Sequence, residues 1–145
     1  MSNYMKLEIS ALSENESFAR SAVAAFALTL NPSFSELSDV KTAVSEAVTN
    51  CIVHAYQKSG KDKKIIIECL AEKNEEGGVL HIGVTDFGKG IKDVDLALTP
   101  FYTTLEDEER SGMGFTIMQT FMNGFSIKSE EGRGTRIDMK KRIGA

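Results

Sequence analysis

Apolar residues recur along this chain with two periods, and the changes of period divide it into elements. Tyr4-Met-Lys-Leu-Glu-Ile-Ser10 alternates apolar and polar positions, the pattern of a half-buried strand. From Asn15 to Leu30 the spacing becomes helical, with Phe18, Ala22, Ala25, Phe26 and Thr29 near one face. Asn31-Pro32 closes that helix, because a residue before proline is pushed out of the helical region. A second helix is predicted to start after Ser35 or Ser38 and to reach about Lys58. Its apolar positions are Leu37, Val40, Val44, Ala47, Val48, Ile52 and Ala55, and Ser59-Gly-Lys-Asp-Lys-Lys64 follows as a charged turn.

Lys64–Leu70 and Val79–Thr85 read as strands, and the short link around Asn74-Glu-Glu-Gly77 makes them an antiparallel hairpin. Ile91 to Tyr102 is irregular with room for one helical turn, and Gly114 to Met122 is a helix. Phe125–Ser129 and Gly134–Lys140 form a closing hairpin across Glu131-Gly-Arg133. Helices grouped early and strands in hairpins predict an α+β fold. It is a two-layer α/β sandwich, with helices on one face of a mixed, mostly antiparallel sheet. At 145 residues the chain has room for one core, so residues 1–145 are expected to form one domain.

Composition narrows the partners. A net charge of −4 argues against nucleic acid or an anionic membrane as the main one. No apolar run is long enough to span a bilayer, and the N-terminus lacks a signal-peptide core, which predicts a cytoplasmic protein. Cys51 and Cys69 stand apart inside apolar segments and read as buried thiols rather than a bridge or metal site.

Three short motifs carry candidate chemistry. Glu46, Asn50 and His54 follow one another at i, i+4 steps on the second helix, among apolar neighbours that leave little surface for water. Asn50 is a neutral oxygen ligand suited to one position of a Mg²⁺ held mostly by phosphate and water. Glu46 is placed to orient or deprotonate a hydroxyl that attacks a γ-phosphate. His54 either contacts phosphate or caps the site wall. Asp86-Phe-Gly88-Lys-Gly90 ends a strand in a glycine loop. There Asp86 can accept a hydrogen bond from the exocyclic amine of adenine, while Gly88 and Gly90 let the backbone come close. Ser111-Gly112-Met113-Gly114-Phe115 opens a helix whose free N–H groups suit the phosphates of ATP or ADP. The acidic segment Thr103–Arg110 before it reads as a lid. Gly83-to-Gly90 nearly matches a P-loop. It is rejected because Gly90 supplies no hydroxyl for magnesium, and Asp86 would repel phosphate oxygens.

In this order and at this length, the motifs resemble the N, G1 and G2 boxes of the Bergerat-fold ATPases and kinases, the superfamily of DNA gyrase, MutL and the sensor histidine kinases. Thr135 then matches the threonine that backs the adenine-binding aspartate, and Ile91 and Thr104 join the expected nucleotide-binding set. Val44–Asn50 and Glu109–Met118 are closer still to the serine kinases that double as anti-sigma factors, and Leu12–Arg20 resembles their sporulation branch. The resemblance implies a homodimer that holds a sigma factor when ATP-loaded and phosphorylates a serine of a small anti-anti-sigma antagonist. The exposed strand Tyr4–Ser10 is the natural dimer edge. Arg20, set among Ala19, Ser21 and Ala24, is the candidate contact to the sigma factor. A detached sensor-kinase domain and a nucleotide-dependent binding module without catalysis are the alternatives.

Overall fold

The computed structural model describes residues 2–56, 60–99 and 113–144. Five strands form one sheet: β1 (Ser2–Ala11), β2 (Gly60–Asn74), β3 (Gly77–Asp86), β4 (Gly124–Glu130) and β5 (Gly134–Ile143). Their order across the sheet is β1-β2-β3-β5-β4, so β1 lies at one edge as expected and β4 at the other. The antiparallel majority expected of the sheet accounts for every described pairing.

Alternation decides which face is covered. Ile65, Ile67, Cys69 and Ala71 on β2, Leu80, Ile82 and Val84 on β3, and Ile137, Met139 and Ile143 on β5 are all buried. The intervening positions stand on the other face. Helices α1 (Glu14–Ala27) and α2 (Phe34–Asn50) complete the second layer with α4 (Gly114–Phe121), while α3 (Val94–Ala97) is a single turn. On α2 the buried stripe Val40, Ala43, Val44, Ala47 and Val48 has helical spacing.

Several local details depart from the sequence reading. The inner face of α1 is Ala19, Val23 and Ala27, followed by Leu30 in a 3₁₀ turn, whereas Phe18 is exposed. Small residues win that face because α1 packs on α2. The 3₁₀ turn stops at Asn31, in the left-handed region at φ 54°. α2 begins earlier than expected. Ser33 Oγ accepts from the Glu36 N–H at 3.1 Å, while the Glu36 carboxylate accepts from the Ser33 N–H at 2.8 Å. β2 begins at Gly60, inside the segment expected to be a turn.

The second helix also ends differently. After Asn50 the backbone widens into a π turn over Cys51–Ala55, closed by the Tyr56 N–H donating to the Cys51 carbonyl at 3.2 Å. Such turns insert a residue into the helical ladder and often mark functional positions. Among the described residues, no helix is long and apolar enough to cross a membrane.

Candidate functional site

The buried rows of β3 and β5 end in polar residues. Asp86 continues the row Leu80, Ile82, Val84, and it pairs in register with Thr135, which continues the row of Ile137 and Met139. Both are buried, so the sheet brings a carboxylate and a hydroxyl to the helix-facing side at its end. The inner face of α2 runs out at the same place. Together these ends wall a cavity of about 980 Å³, lined by Asn50, His54, Asp86, Gly90, Ile91 and Thr135 together with the opening of α4, Gly114 and Phe115.

The loop after β3 is stitched down on all sides. The Gly88 N–H donates to Asp86 Oδ1 at 3.0 Å, and the Phe87 N–H donates to the Tyr56 hydroxyl at 2.8 Å. The Lys89 N–H reaches the Ala55 carbonyl at 3.0 Å, the Gly132 N–H reaches the Lys89 carbonyl at 2.6 Å, and the Ile91 N–H reaches Ser129 Oγ at 2.7 Å. A Cβ on Gly88 would collide with the Ala55 carbonyl, and one on Gly90, at φ 73°, with that of Glu130. The glycines are therefore required by the packing of this loop on its neighbours as well as by any approach to a ligand. The result is a rigid shelf beside Asp86.

Burial pushes the Asp86 carboxyl above the ordinary aspartate value, while N–H groups of Gly88 and Thr135 and the Cys51 thiol pull it back by hydrogen bonding. A carboxylate kept in an apolar wall with satisfied donors behind it is built to accept one more donor from the cavity. Asn50 supplies a second polar signal: its Nδ2 is buried without a hydrogen-bond partner among the described residues. An amide left so is a place for a ligand, because burial without a partner is unfavourable by roughly 1–3 kcal/mol. At α4, the Met113 position carries no side-chain cap, so the first-turn N–H groups facing the cavity are not taken by one. Phe115 anchors that end by packing against Phe125 of β4, with ring centroids 6.2 Å apart.

The expected residues thus fall into groups. Asn50, His54, Asp86, Gly90, Ile91, Gly114, Phe115 and Thr135 meet at the cavity. Gly88 supports its floor from behind, and Met113 stands at the first position before α4 without capping it. Glu46 is half-buried on α2, four residues before Asn50 and outside the cavity wall. The π turn still brings His54 to the wall. Thr104, Ser111, Gly112 and the acidic segment Thr103–Arg110 lie outside the described residues. Arg20 is remote, in a groove between α1 and α2 with Phe34, Leu37, Lys41 and Ser45. The sequence reading missed Cys51, Tyr56 and Ser129 as parts of the site. Ser129 accepts from Ile91, far away in the chain, and across its own hairpin it lies 2.8 Å from Thr135 Oγ1 and donates to the Gly134 carbonyl.

The donor set suits an adenine nucleotide, the Asn50 amide N–H being free among the described residues for an acceptor such as a phosphate oxygen. It offers a buried acceptor on a rigid shelf, an unpartnered amide and an uncapped helix start on one cavity. Comparison with known proteins shows the family of this domain. The histidine kinase-like ATPase domain family matches residues 9–141. A protein of Caldanaerobacter subterraneus named anti-sigma F factor is 51% identical over 142 residues, 98% of this chain and 95% of that one. The anti-sigma F factor of Clostridium acetobutylicum is 48% identical over 99% of this chain and 96% of its own. Among solved structures, the RsbU and RsbW domains of Rv1364c from Mycobacterium tuberculosis superpose with a TM-score of 0.67. The identity there is 16%, over 97% of this chain and 32% of that longer one. The catalytic domain of the histidine kinase ThkA gives a TM-score of 0.54 at 15% identity, over 97% of this chain and 96% of its own. These two likenesses carry the fold, and the sequence relatives carry the family. The chain belongs to the anti-sigma F factor family of histidine kinase-like ATPase domains.

Proposed function

We propose that this chain is an ATP-dependent protein serine kinase and anti-sigma factor. On this reading it binds the sporulation sigma factor, sigma F, and phosphorylates a serine of the anti-anti-sigma antagonist. It acts in the cytoplasm as a homodimer with β1 at the dimer edge. The observation that carries the catalytic part is the convergence of Asp86, Asn50 and the start of α4 on one cavity, with Glu46 one helical turn before Asn50.

Asp86 accepts the adenine amine, with the Gly88–Gly90 shelf beneath the base. The first turn of α4 receives the phosphates through its N–H groups. The amide oxygen of Asn50 would hold Mg²⁺, and a bound ion would neutralise phosphate charge there. Glu46 takes the proton of the substrate serine as its oxygen bonds to the γ-phosphorus. The bond to the bridging oxygen of ADP breaks, and phosphoserine and ADP result. A carboxylate at position 46 suits a hydroxyl acceptor, which needs a base, better than a histidine acceptor.

Glu46→Gln tests the reading. ATP affinity, measured by calorimetry, is expected to stay at wild-type strength, while phosphotransfer from labelled ATP to the antagonist falls ~10²–10⁴-fold. Full kinase activity in that variant would remove Glu46 from the mechanism.

A further inference from the structure

Ser129 belongs to none of the nucleotide-binding motifs, yet it completes a polar row at the end of the sheet. The inner rows of neighbouring strands end in Asp86 on β3, Thr135 on β5 and Ser129 on β4, with Thr135 in register between the other two. The Ile91 N–H donates to Ser129 Oγ at 2.7 Å, the Gly134 carbonyl lies 3.1 Å from it, and Thr135 Oγ1 lies 2.8 Å from it. A serine hydroxyl has a single proton and two acceptor positions, and a carbonyl can only accept. The Ser129 proton therefore goes to Gly134, because otherwise two oxygens would face each other at 3.1 Å with their lone pairs opposed. Ile91 fills one acceptor position of Ser129, and the Thr135 hydroxyl fills the other with its own proton.

We propose that Ser129 is a positioning residue that sets base specificity, by turning the Thr135 hydroxyl so that only its lone pairs face the cavity. This rests on the reading of Asp86 and Thr135 as the adenine-facing pair, and deepens it. Thr135 is buried and lines the cavity together with Asp86. With its proton held along the sheet, it can accept from a ligand and cannot donate to one. The Asp86 carboxylate is an acceptor too, so the pair makes a wall that only donors satisfy. The exocyclic amine of adenine brings N–H groups to that wall. Hypoxanthine and guanine carry a carbonyl in the same place, and its lone pairs would meet lone pairs at both residues. A threonine hydroxyl free to rotate would swing its proton to that carbonyl and soften the rejection. Ser129 closes that route. Ile91 assists, because its N–H occupies the acceptor position that would otherwise let Ser129 Oγ turn to another donor.

The test compares ATP with inosine triphosphate, which carries a carbonyl in place of the amine, by competition binding to wild type, Ser129→Ala and Ser129→Thr. In Ser129→Ala the preference for ATP is expected to narrow about three- to tenfold, the range of one hydrogen bond gained by the carbonyl. Any loss common to both nucleotides reports the missing Ile91 anchor. Ser129→Thr keeps the hydroxyl, so its preference is expected to stay within about twofold of wild type. A merely structural serine would lower both nucleotides alike. In a Thr135→Val background no hydroxyl remains to turn, and adding Ser129→Ala is expected to change the preference by about twofold or less. An unchanged preference in Ser129→Ala, or the same narrowing with and without the Thr135 hydroxyl, would overturn the proposal. Asp86→Ala, measured alongside, separates this failure from that of the underlying reading. If it narrows the preference while Ser129→Ala does not, Ser129 alone is misassigned. If it leaves the preference intact, adenine recognition is not at Asp86 and the role of Ser129 falls with it.

Discussion

At Asp86, stability and recognition pull in opposite directions. Burial raises its carboxyl above the ordinary value, so the folded state holds the proton more tightly than the unfolded chain. The stabilisation this gives is complete below the unfolded pKa and is lost as pH rises through the folded one. At neutral pH the ionised group is therefore a net burden on the nucleotide-free protein. Asp86→Asn is expected to stabilise that protein at neutral pH, with the gain fading as pH is lowered through the carboxyl range. Urea denaturation over a pH series reads this directly, and a gain that persists in acid would contradict it. Asp86→Ala is expected to weaken ATP binding by roughly 1–3 kcal/mol, the range for a buried polar group left unpaired. Wild-type ATP affinity by calorimetry would misplace the adenine. Asp86 and Asn50 were legible in the sequence because their chemistry is unusual inside apolar runs. Ser129 and Tyr56 were not, because each acts through a contact with a distant segment, Ser129 with Ile91 and Tyr56 with Phe87.

At the level of elements, periodicity located every described helix and strand that frames the site and erred mainly at their ends. The start of α2 was misplaced because Ser33, Ser35 and Ser38 are all plausible caps, and the choice rests on Glu36 standing three residues after Ser33. Ser33→Ala is expected to cost about 1 kcal/mol of stability, measured by urea denaturation. No change would mean that Gly144, whose N–H also donates to the Glu36 carboxylate at 3.0 Å, holds the helix start alone. The Ser33 N–H holds the Glu36 carboxyl below the ordinary value, with desolvation opposing and Gly144 assisting. That stabilisation is present above the unfolded pKa and is lost as pH falls through the folded one, so Glu36→Gln should flatten part of the acid limb of the stability curve. The π turn lies beyond what spacing reveals, since a 3.6-residue pattern continues through Ile52 and Ala55 with only a small phase shift. Its consequence falls on the site, because it sets where Cys51 and His54 stand relative to Asp86.

Across the whole molecule, the nucleotide cavity and the groove that holds Arg20 sit at different places on the helical layer, joined through α2. Asn50 lies at one end of that helix, while Phe34, Leu37, Lys41 and Ser45 line the groove along its length. Sequence alone suggested an arginine on a flat surface of small residues. Instead, Arg20 Nη1 donates to Ser45 Oγ at 3.2 Å and lies 3.4 Å from the Glu16 carboxylate, while Nη2 donates to Ser17 Oγ at 3.3 Å. Ser45 in turn donates to Glu16 at 2.7 Å. A guanidinium held this way loses less freedom on meeting a partner carboxylate than a loose one, which favours an interface role. Phe34, 90% exposed at the same groove, gives it an apolar side of the kind that interfaces cover. Arg20→Glu is therefore expected to weaken binding of the sigma factor by more than about tenfold, with ATP affinity and urea stability kept near wild type. Arg20→Ala should give a smaller loss, because it removes the contact without setting a carboxylate against the partner's acidic group. Sigma affinity unchanged in both variants, with ATP and magnesium present, would return Arg20 to a local role of clasping α1 to α2.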